Sequence, residues 1–130
     1  MVPLGIVFDT GKAGLRTVLK DWQEAALRAV WDSERPLSSS DVWIEANMRL
    51  GEAGSISRAS VINFLQAMAV EGVLLEEHRS GKGGYHGIYA PKLDEEGYKL
   101  HVAKTVISKL SDMWPDATKE ALMTSRTLGS

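Results

Sequence analysis

The chain has 130 residues, of which 44% are hydrophobic and 25% are charged, and this composition predicts one packed domain with room for an accessory element. It contains no cysteine, so disulfides and thiolate metal sites are excluded, and it lacks the ~20 consecutive apolar residues of a membrane span. The formal net charge of −2 gives no general attraction to nucleic acid, although residues 78–92 hold Arg79, Lys82 and Lys92 and no acid.

The first part of the chain combines an irregular segment with a helix. Within residues 1–18, the apolar run at 4–8 predicts an arm or an edge strand. No basic region is followed by a long apolar run, which argues against a secretory signal and favours a cytoplasmic protein. The first helix is predicted to begin near Asp21, which forms a capping-box pattern with Glu24, and to end before Pro36, because proline cannot continue a helix.

Two further helices follow, separated by a short loop. Residues 38–41 offer several N-caps for a helix over residues 42–50, and Gly51 is its natural C-terminal stop. Ser57 is the expected cap of the third helix, over residues 58–71, in which apolar side chains recur at helical spacing.

The pattern then changes to that of two short strands. Residues 73–79 and 85–90 have strand composition, and the glycine-rich residues 80–84 between them predict a hairpin turn. Because a lone hairpin is only marginally stable in water, we expect it to pack on the helices.

A long amphipathic helix is predicted from about residue 93 to Pro115, followed by a short helix over residues 116–123 and a loose tail over 124–130. One face of the long helix is apolar and has no evident partner within so short a chain. We therefore expect it to bind a second copy of the chain, the alternative being that it folds back on the first helix. The candidate dimerisation residues are Val102, Val106, Ile107, Leu110, Met113 and Trp114.

The order of helix, helix, helix and hairpin predicts a mainly α fold with a small β-hairpin, namely a winged helix-turn-helix plus a C-terminal dimerisation helix. In this interpretation residues 1–18 are an N-terminal arm, 19–92 a DNA-binding domain, 93–123 the dimerisation element and 124–130 the tail. The third helix is the expected recognition helix, because an α-helix fits the major groove of double-stranded B-DNA.

Candidate DNA contacts lie on the third helix and near the hairpin turn. Serines at a helix N-terminus present hydroxyl and N–H groups to phosphate, whereas arginine and amide side chains can read base edges. The candidates are Ser55, Ser57, Arg58, Ser60, Asn63, Gln66, Arg79 and Lys82. Each also has an ordinary explanation, as a capping serine, a solvated helix residue or part of a soluble hairpin turn.

Four segments between Trp22 and Tyr98 resemble the penicillinase-repressor family, which comprises the BlaI, MecI and copper-responsive repressors. The segments are WQEAALRAVW, PLSSSDV, SRASVINFLQAMAVEGVL and GIYAPKLDEEGY, in the order and at the spacing of that family. The resemblance implies a homodimeric repressor on a palindromic operator, dimerised by helices after the wing. The chain departs from the family in having Arg58 as the one basic residue of the recognition helix, and in lacking the C-terminal cysteines of the copper-responsive members.

Three other interpretations stay open. The acidic balance is typical of a winged-helix module that binds protein and not DNA, in which case Ala59 and Ile62 would form an exposed apolar patch. The four tryptophans could line a pocket for a small molecule, although aromatic residues at helical spacing more often form core. His78 and His86 could share a metal across the hairpin, but two histidines make an incomplete site. We expect no cofactor and no metal, and the chain carries no motif of an enzyme active site.

Overall fold

Helices make up most of the structure, a computed structural model that describes residues 5–81 and 84–128. In this part of the chain the elements are α1 (Asp21–Asp32), β1 (Leu37–Ser38), α2 (Ser39–Leu50), α3 (Arg58–Val70), β2 (Leu74–Gly81), β3 (Gly84–Pro91), α4 (Glu95–Met113) and α5 (Pro115–Leu128). The three strands form one antiparallel sheet in the order β1–β3–β2. These elements confirm the predicted mainly α architecture with a small β-hairpin.

The chain divides into two units, Met1–Glu95 and Glu96–Ser130. In the first unit, α1 packs against α2, α3 and β3, and α3 packs against β2. Trp22 of α1 meets Phe64 of α3 edge to face, with ring centroids 5.5 Å apart. Removal of apolar side chains from water is the main stabilising contribution to such a core. Its most deeply buried members are Ala26, Leu27, Val30, Val42, Ala46, Val61, Phe64, Leu65, Ala67, Val73, Leu74 and Tyr89.

The N-terminal segment is an arm and not an edge strand over its described residues. Residues 5–9 have no regular structure, and Val7 and Phe8 are exposed. From Asp9 onward the arm folds back on itself, since the Asp9 N–H donates to the Thr17 carbonyl oxygen at 2.7 Å. Leu15, which lies in a single 3₁₀ turn, is buried and anchors the segment.

Helix α1 begins at Asp21 as predicted, but the capping box proposed for Asp21 and Glu24 is wrong. Lys20 is the N-cap residue, and its N–H donates to the Gln23 side-chain oxygen at 2.9 Å. Glu24 instead accepts hydrogen bonds from the side chains of Arg28 at 3.2 Å and Arg16 at 3.4 Å. The carboxylate is therefore engaged by two guanidinium groups and is not turned back to the helix start.

The caps of α2 and α3 follow the sequence pattern closely. Ser38 caps α2: its hydroxyl accepts from the Asp41 N–H at 3.1 Å, and the Asp41 carboxylate accepts from the Ser38 N–H at 3.4 Å. Helix α2 ends at Gly51, whose φ of +56° is in the left-handed region that favours glycine. Ser57 caps α3, because its hydroxyl accepts from the Ser60 N–H at 3.1 Å.

The hairpin of β2 and β3 pairs Leu74 with Pro91 and Gly81 with Gly84 at its two ends. Residues 82–83, which the sequence places in the turn, lie outside the described residues. Strand β1 was not predicted, because two residues are too few to show an alternating pattern. It pairs Leu37 with Tyr89 and ends at Ser38, which is also the N-cap residue of α2. The sheet is therefore joined directly to the start of that helix.

In the second unit the break between the long helix and the last helix falls at Pro115, as predicted. Proline is favoured at the first position of a helix, where no backbone donor is needed. The Trp114 N–H donates to the Leu110 carbonyl at 2.7 Å and the Thr118 N–H to the Trp114 carbonyl at 3.0 Å, so helical bonds continue on both sides of it.

Helix α5 continues through residues 124–128, which the sequence analysis assigned to a loose tail, since no glycine or proline intervenes. No helix within the described residues is both long and apolar enough to cross a membrane.

Candidate nucleic-acid interface

Helix α3 has one buried face and one outward face. The buried face carries Val61, Phe64, Leu65 and Met68. The outward face carries the polar side chains of Arg58, Asn63 and Gln66 and the apolar side chains of Ala59, Ile62 and Val70, of which Val70 is 52% exposed. Among the candidate contacts, Ser55, Ser57, Arg58 and Asn63 are exposed, and Ser60 and Gln66 are partly exposed.

Two of the candidate serines form the start of α3. The Ser57 hydroxyl lies 2.8 Å from the Ser60 hydroxyl, in addition to accepting the Ser60 N–H. These groups therefore have a structural role as a cap. A cap leaves the first backbone N–H groups of the helix directed outward, and these groups together with the helix dipole favour an anion at that end.

Arg58 is joined to the start of α2. Its guanidinium donates a hydrogen bond to the Ser40 hydroxyl. Arg35, just before β1, lies 4.0 Å from the Asp41 carboxylate, also in the first turn of α2. The structure thus brings two exposed arginines to the first turn of α2. The sequence analysis did not place Arg35 in the site, although its position just before the serine run at 38–40 was a usable signal.

The connection between α2 and α3 is fixed by two side chains of α2. The Trp43 indole N–H donates to the Ile56 carbonyl oxygen at 2.8 Å. Asn47 accepts from the Ile56 N–H at 2.9 Å, and its amide N–H donates to the Trp43 carbonyl at 2.9 Å and the Ile56 carbonyl at 3.4 Å. The residue before the Ser57 cap is therefore held to α2, which sets the position of the first turn of α3.

The hairpin carries the remaining candidates. Arg79 on β2 is exposed and forms an ion pair with Glu77, with 3.4 Å between nitrogen and oxygen. Such an exposed pair contributes little stability and is readily exchanged for another anion. Lys82 lies outside the described residues. The strand register places Arg79, and not His78, opposite His86, and the His78 ring lies 3.1 Å from the Glu76 carboxylate.

Strand β3 of the hairpin carries a buried tyrosine, Tyr89. The Tyr89 hydroxyl donates to the Glu76 carboxylate, and the Tyr89 side chain is only 1% exposed. Burial, together with this hydrogen bond, raises the pKa of Tyr89 above its ordinary value. Gly87 lies beneath the ring: a Cβ atom added there would be 2.8 Å from the Tyr89 hydroxyl oxygen. Absence of a side chain at residue 87 is therefore what allows the tyrosine to reach Glu76.

The first three tryptophans each make a separate local contact. Trp22 packs on Phe64, and Trp43 holds Ile56. The Trp31 indole N–H donates to the Leu93 carbonyl at 3.0 Å. Near this bond Arg28 forms an ion pair with Glu95 at 2.8 Å, and this hydrogen bond raises the pKa of the Arg28 guanidinium. Helix α1 is thus bonded to the segment that leads into α4.

The candidate dimerisation residues differ in exposure. Val102 is buried, at 9% exposure, and so offers little surface to a partner. Ile107, Met113 and Trp114 are exposed, at 39%, 46% and 59%. Val106 and Leu110 are partly exposed. Leu100, which the sequence analysis did not include, is 55% exposed on the same helix.

Among residues 5–81 and 84–128, no group of three or more His, Asp or Glu side chains is arranged to hold a metal ion. No family model, curated protein or solved structure matches the chain.

Proposed function

We propose that the protein is a sequence-specific DNA-binding regulator that acts as a dimer. Helices α2 and α3 would form a helix-turn-helix, with α3 in the major groove and the β2–β3 hairpin as the wing along the neighbouring backbone. The observation that carries the proposal is the set of polar side chains on the outward face of α3, namely Arg58, Asn63 and Gln66, on a helix whose start is held to α2 by the Trp43 and Asn47 bonds to Ile56.

The side chains on this face suit direct contact with base edges. Asn63 and Gln66 carry amides, which pair with the N6 and N7 groups of adenine. Arg58 can pair with guanine or with a phosphate. The face has no acidic residue between Arg58 and Val70, so no carboxylate on α3 repels the DNA.

Affinity in this proposal comes from phosphate contacts around α3. Arg58 and Arg35 would meet the backbone near the start of α2, and Arg79 and Lys82 would meet it at the wing. These four cations would offset the overall charge of −2 locally, because the local field and not the sum steers a charged ligand. Glu76 and Glu77 on β2 reduce this field, so we expect moderate non-specific affinity.

The proposal also includes repression, a palindromic operator and membership of the penicillinase-repressor family. These three elements rest on the sequence resemblance. A two-fold dimer requires two half-sites about one helical turn, ~10 bp, apart. Repression would follow if the operator overlaps a promoter.

A protein-binding module is the second candidate. Ile44 and Met48, one turn apart on α2, are 50% and 69% exposed, and an exposed apolar pair is typical of a protein contact. On α3, Ala59 is exposed, Val70 is 52% exposed and Ile62 is partly exposed. DNA remains the first candidate because the outward face of α3 also carries Arg58, Asn63 and Gln66, and the helix has no acidic residue.

The proposal can be tested by selecting duplexes from a random library with the purified protein. We expect enrichment of a two-fold symmetric site. Arg58→Ala should lower affinity for that site, by a factor on the order of 10–100 if the contact is bidentate. Arg49→Ala is the matched control, because it removes one positive charge from α2, where Arg49 pairs with Asp32 at 3.1 Å. A library that yields no enriched sequence would contradict the proposal.

A further inference from the structure

Helix α4 carries an apolar face at the protein surface. Leu100, Ala103 and Ile107 of α4 are exposed, as is Trp114, the residue that follows the helix, and Leu110 is partly exposed. These five residues, here called the α4 seam, follow one another at alternating steps of three and four residues. This is the spacing of positions a and d in a heptad, through which one helix packs along another.

We propose that the α4 seam pairs with the α4 seam of a second copy in antiparallel orientation. The proposal rests on the dimer included in the proposed function and adds its geometry. It replaces Val102, which is buried, by Leu100 and Ala103 as interface residues.

The sizes of the seam residues favour the antiparallel orientation. In the register that places Ile107 opposite the partner's Leu110, Ala103 faces the partner's Trp114 and Leu100 lies beyond that tryptophan. The largest residue is then paired with the smallest, so each layer has a similar volume. A parallel pair would instead place Ala103 on Ala103 and Trp114 on Trp114, with a void in one layer and crowding in the other. Both voids and overpacking destabilise an interface.

Charge favours the same orientation. In a parallel pair the positions beside the seam bring Lys99 next to the partner's Lys104 on both sides of the dimer, and like charges at these positions oppose pairing. In the antiparallel pair Lys104 lies next to the partner's Ser111. Val106 lies next to the partner's Met113, which extends the apolar contact.

Cross-linking of the full chain tests the orientation. The sequence contains no cysteine, so any cross-link formed by a single-cysteine variant must involve the introduced residue. A mixture of the Val106→Cys and Met113→Cys proteins should give a covalent dimer with a short bis-maleimide, whereas Met113→Cys alone, whose two copies are offset by about 13 Å, should not. Ala103→Cys should form no disulfide dimer on oxidation. Its two copies are offset by about 16 Å along an antiparallel pair, and a disulfide needs Cα atoms within about 7 Å.

Light scattering supplies the matched controls. The wild-type protein should have about twice the chain mass of 14.2 kDa. Ile107→Asp should raise the dimer dissociation constant on the order of 30-fold, because it puts a charge at the centre of the seam. Thr105→Asp, on the opposite side of α4, should stay dimeric.

The outcomes separate the two claims. A disulfide dimer of Ala103→Cys overturns the antiparallel orientation and leaves the dimer of the proposed function. A monomer at every concentration overturns both the pairing and that dimer. DNA binding is measured separately, so an antiparallel dimer that binds no DNA would contradict the proposed function alone.

Discussion

Asn47 and the backbone of Ile56 form a pair of hydrogen bonds. The Ile56 N–H donates to the Asn47 side-chain oxygen at 2.9 Å, and the Asn47 amide donates to the Ile56 carbonyl at 3.4 Å. The same carbonyl accepts from the Trp43 indole at 2.8 Å. One residue of the α2–α3 connection thus has both backbone groups satisfied by α2, and for this reason α3 starts at a defined place.

Replacement of Asn47 by alanine should destabilise the fold and weaken DNA binding together. The Ile56 N–H loses its acceptor, and a backbone donor left unpaired in a partly buried site costs about 1–3 kcal/mol. Urea denaturation measures the loss. Asn63→Ala is the control, because Asn63 is exposed on α3: it should change the free energy of unfolding by less than about 0.5 kcal/mol. Equal stability losses in the two variants would contradict the role of Asn47.

Gly87→Ala should destabilise the hairpin. The new methyl carbon would lie 2.8 Å from the Tyr89 hydroxyl oxygen, and forced side-chain movement in a packed site costs about 1–3 kcal/mol. Gly87→Ala should lower the free energy of unfolding less when it is made in the Tyr89→Phe variant than in the wild type, because the nearest atom is then absent. If the two substitutions have simply additive effects on this free energy, the contact between residues 87 and 89 does not affect stability.

Stability should fall at alkaline pH through Tyr89. Burial and the Glu76 hydrogen bond hold the pKa of this phenol above its ordinary value of 10.0 in the folded chain. Below pH 10 the phenol keeps its proton in both states, so the contribution is fully present. As the pH rises further the unfolded chain releases the proton first, and the free energy of unfolding decreases. Denaturation at several pH values should show that the free energy of unfolding falls more steeply with pH for the wild type than for Tyr89→Phe. Identical slopes would show that Tyr89 does not cause the loss of stability at alkaline pH.

Arg79→Ala combined with Lys82→Ala should weaken binding to all duplexes by similar factors. Contacts to phosphate carry no sequence information, and each one lost lowers the slope of log affinity against log salt by about 0.9. Asn63→Ala should instead relax the preference for a base at one position of each half-site. Binding of both variants to the operator and its single-base variants measures the difference. An unchanged salt slope in the Arg79/Lys82 variant would exclude the hairpin from the interface.

Local signals allowed much of the fold to be predicted. Ser57 before an apolar run, Gly51 after one, and glycines between two β-rich segments each produce their structure through nearby backbone bonds. The α1 cap was misassigned because Gln23 and Glu24 are both plausible partners for the helix start. In the structure Glu24 pairs with Arg28, one turn further along α1, and with Arg16, which leaves Gln23 as the partner of the helix start.

The contacts that organise the candidate site depend on residues far apart in sequence. Trp43 and Asn47 meet Ile56 across a loop, and Arg58 meets Ser40 from the next helix. Periodicity does not reveal such pairs. On α4 the sequence contains more apolar positions than one face can hold, so burial of Val102 and exposure of Leu100 required the structure.

The most direct test of DNA binding is fluorescence anisotropy of labelled duplexes titrated with the full chain at several salt concentrations. The upstream region of the gene for this protein should be compared with random duplex. The account predicts tighter binding to the upstream region and a log–log salt slope of about three or more, since each phosphate contact contributes about 0.9. Absence of binding to either duplex at low salt would contradict it and would direct attention to a protein partner for Ile44 and Met48.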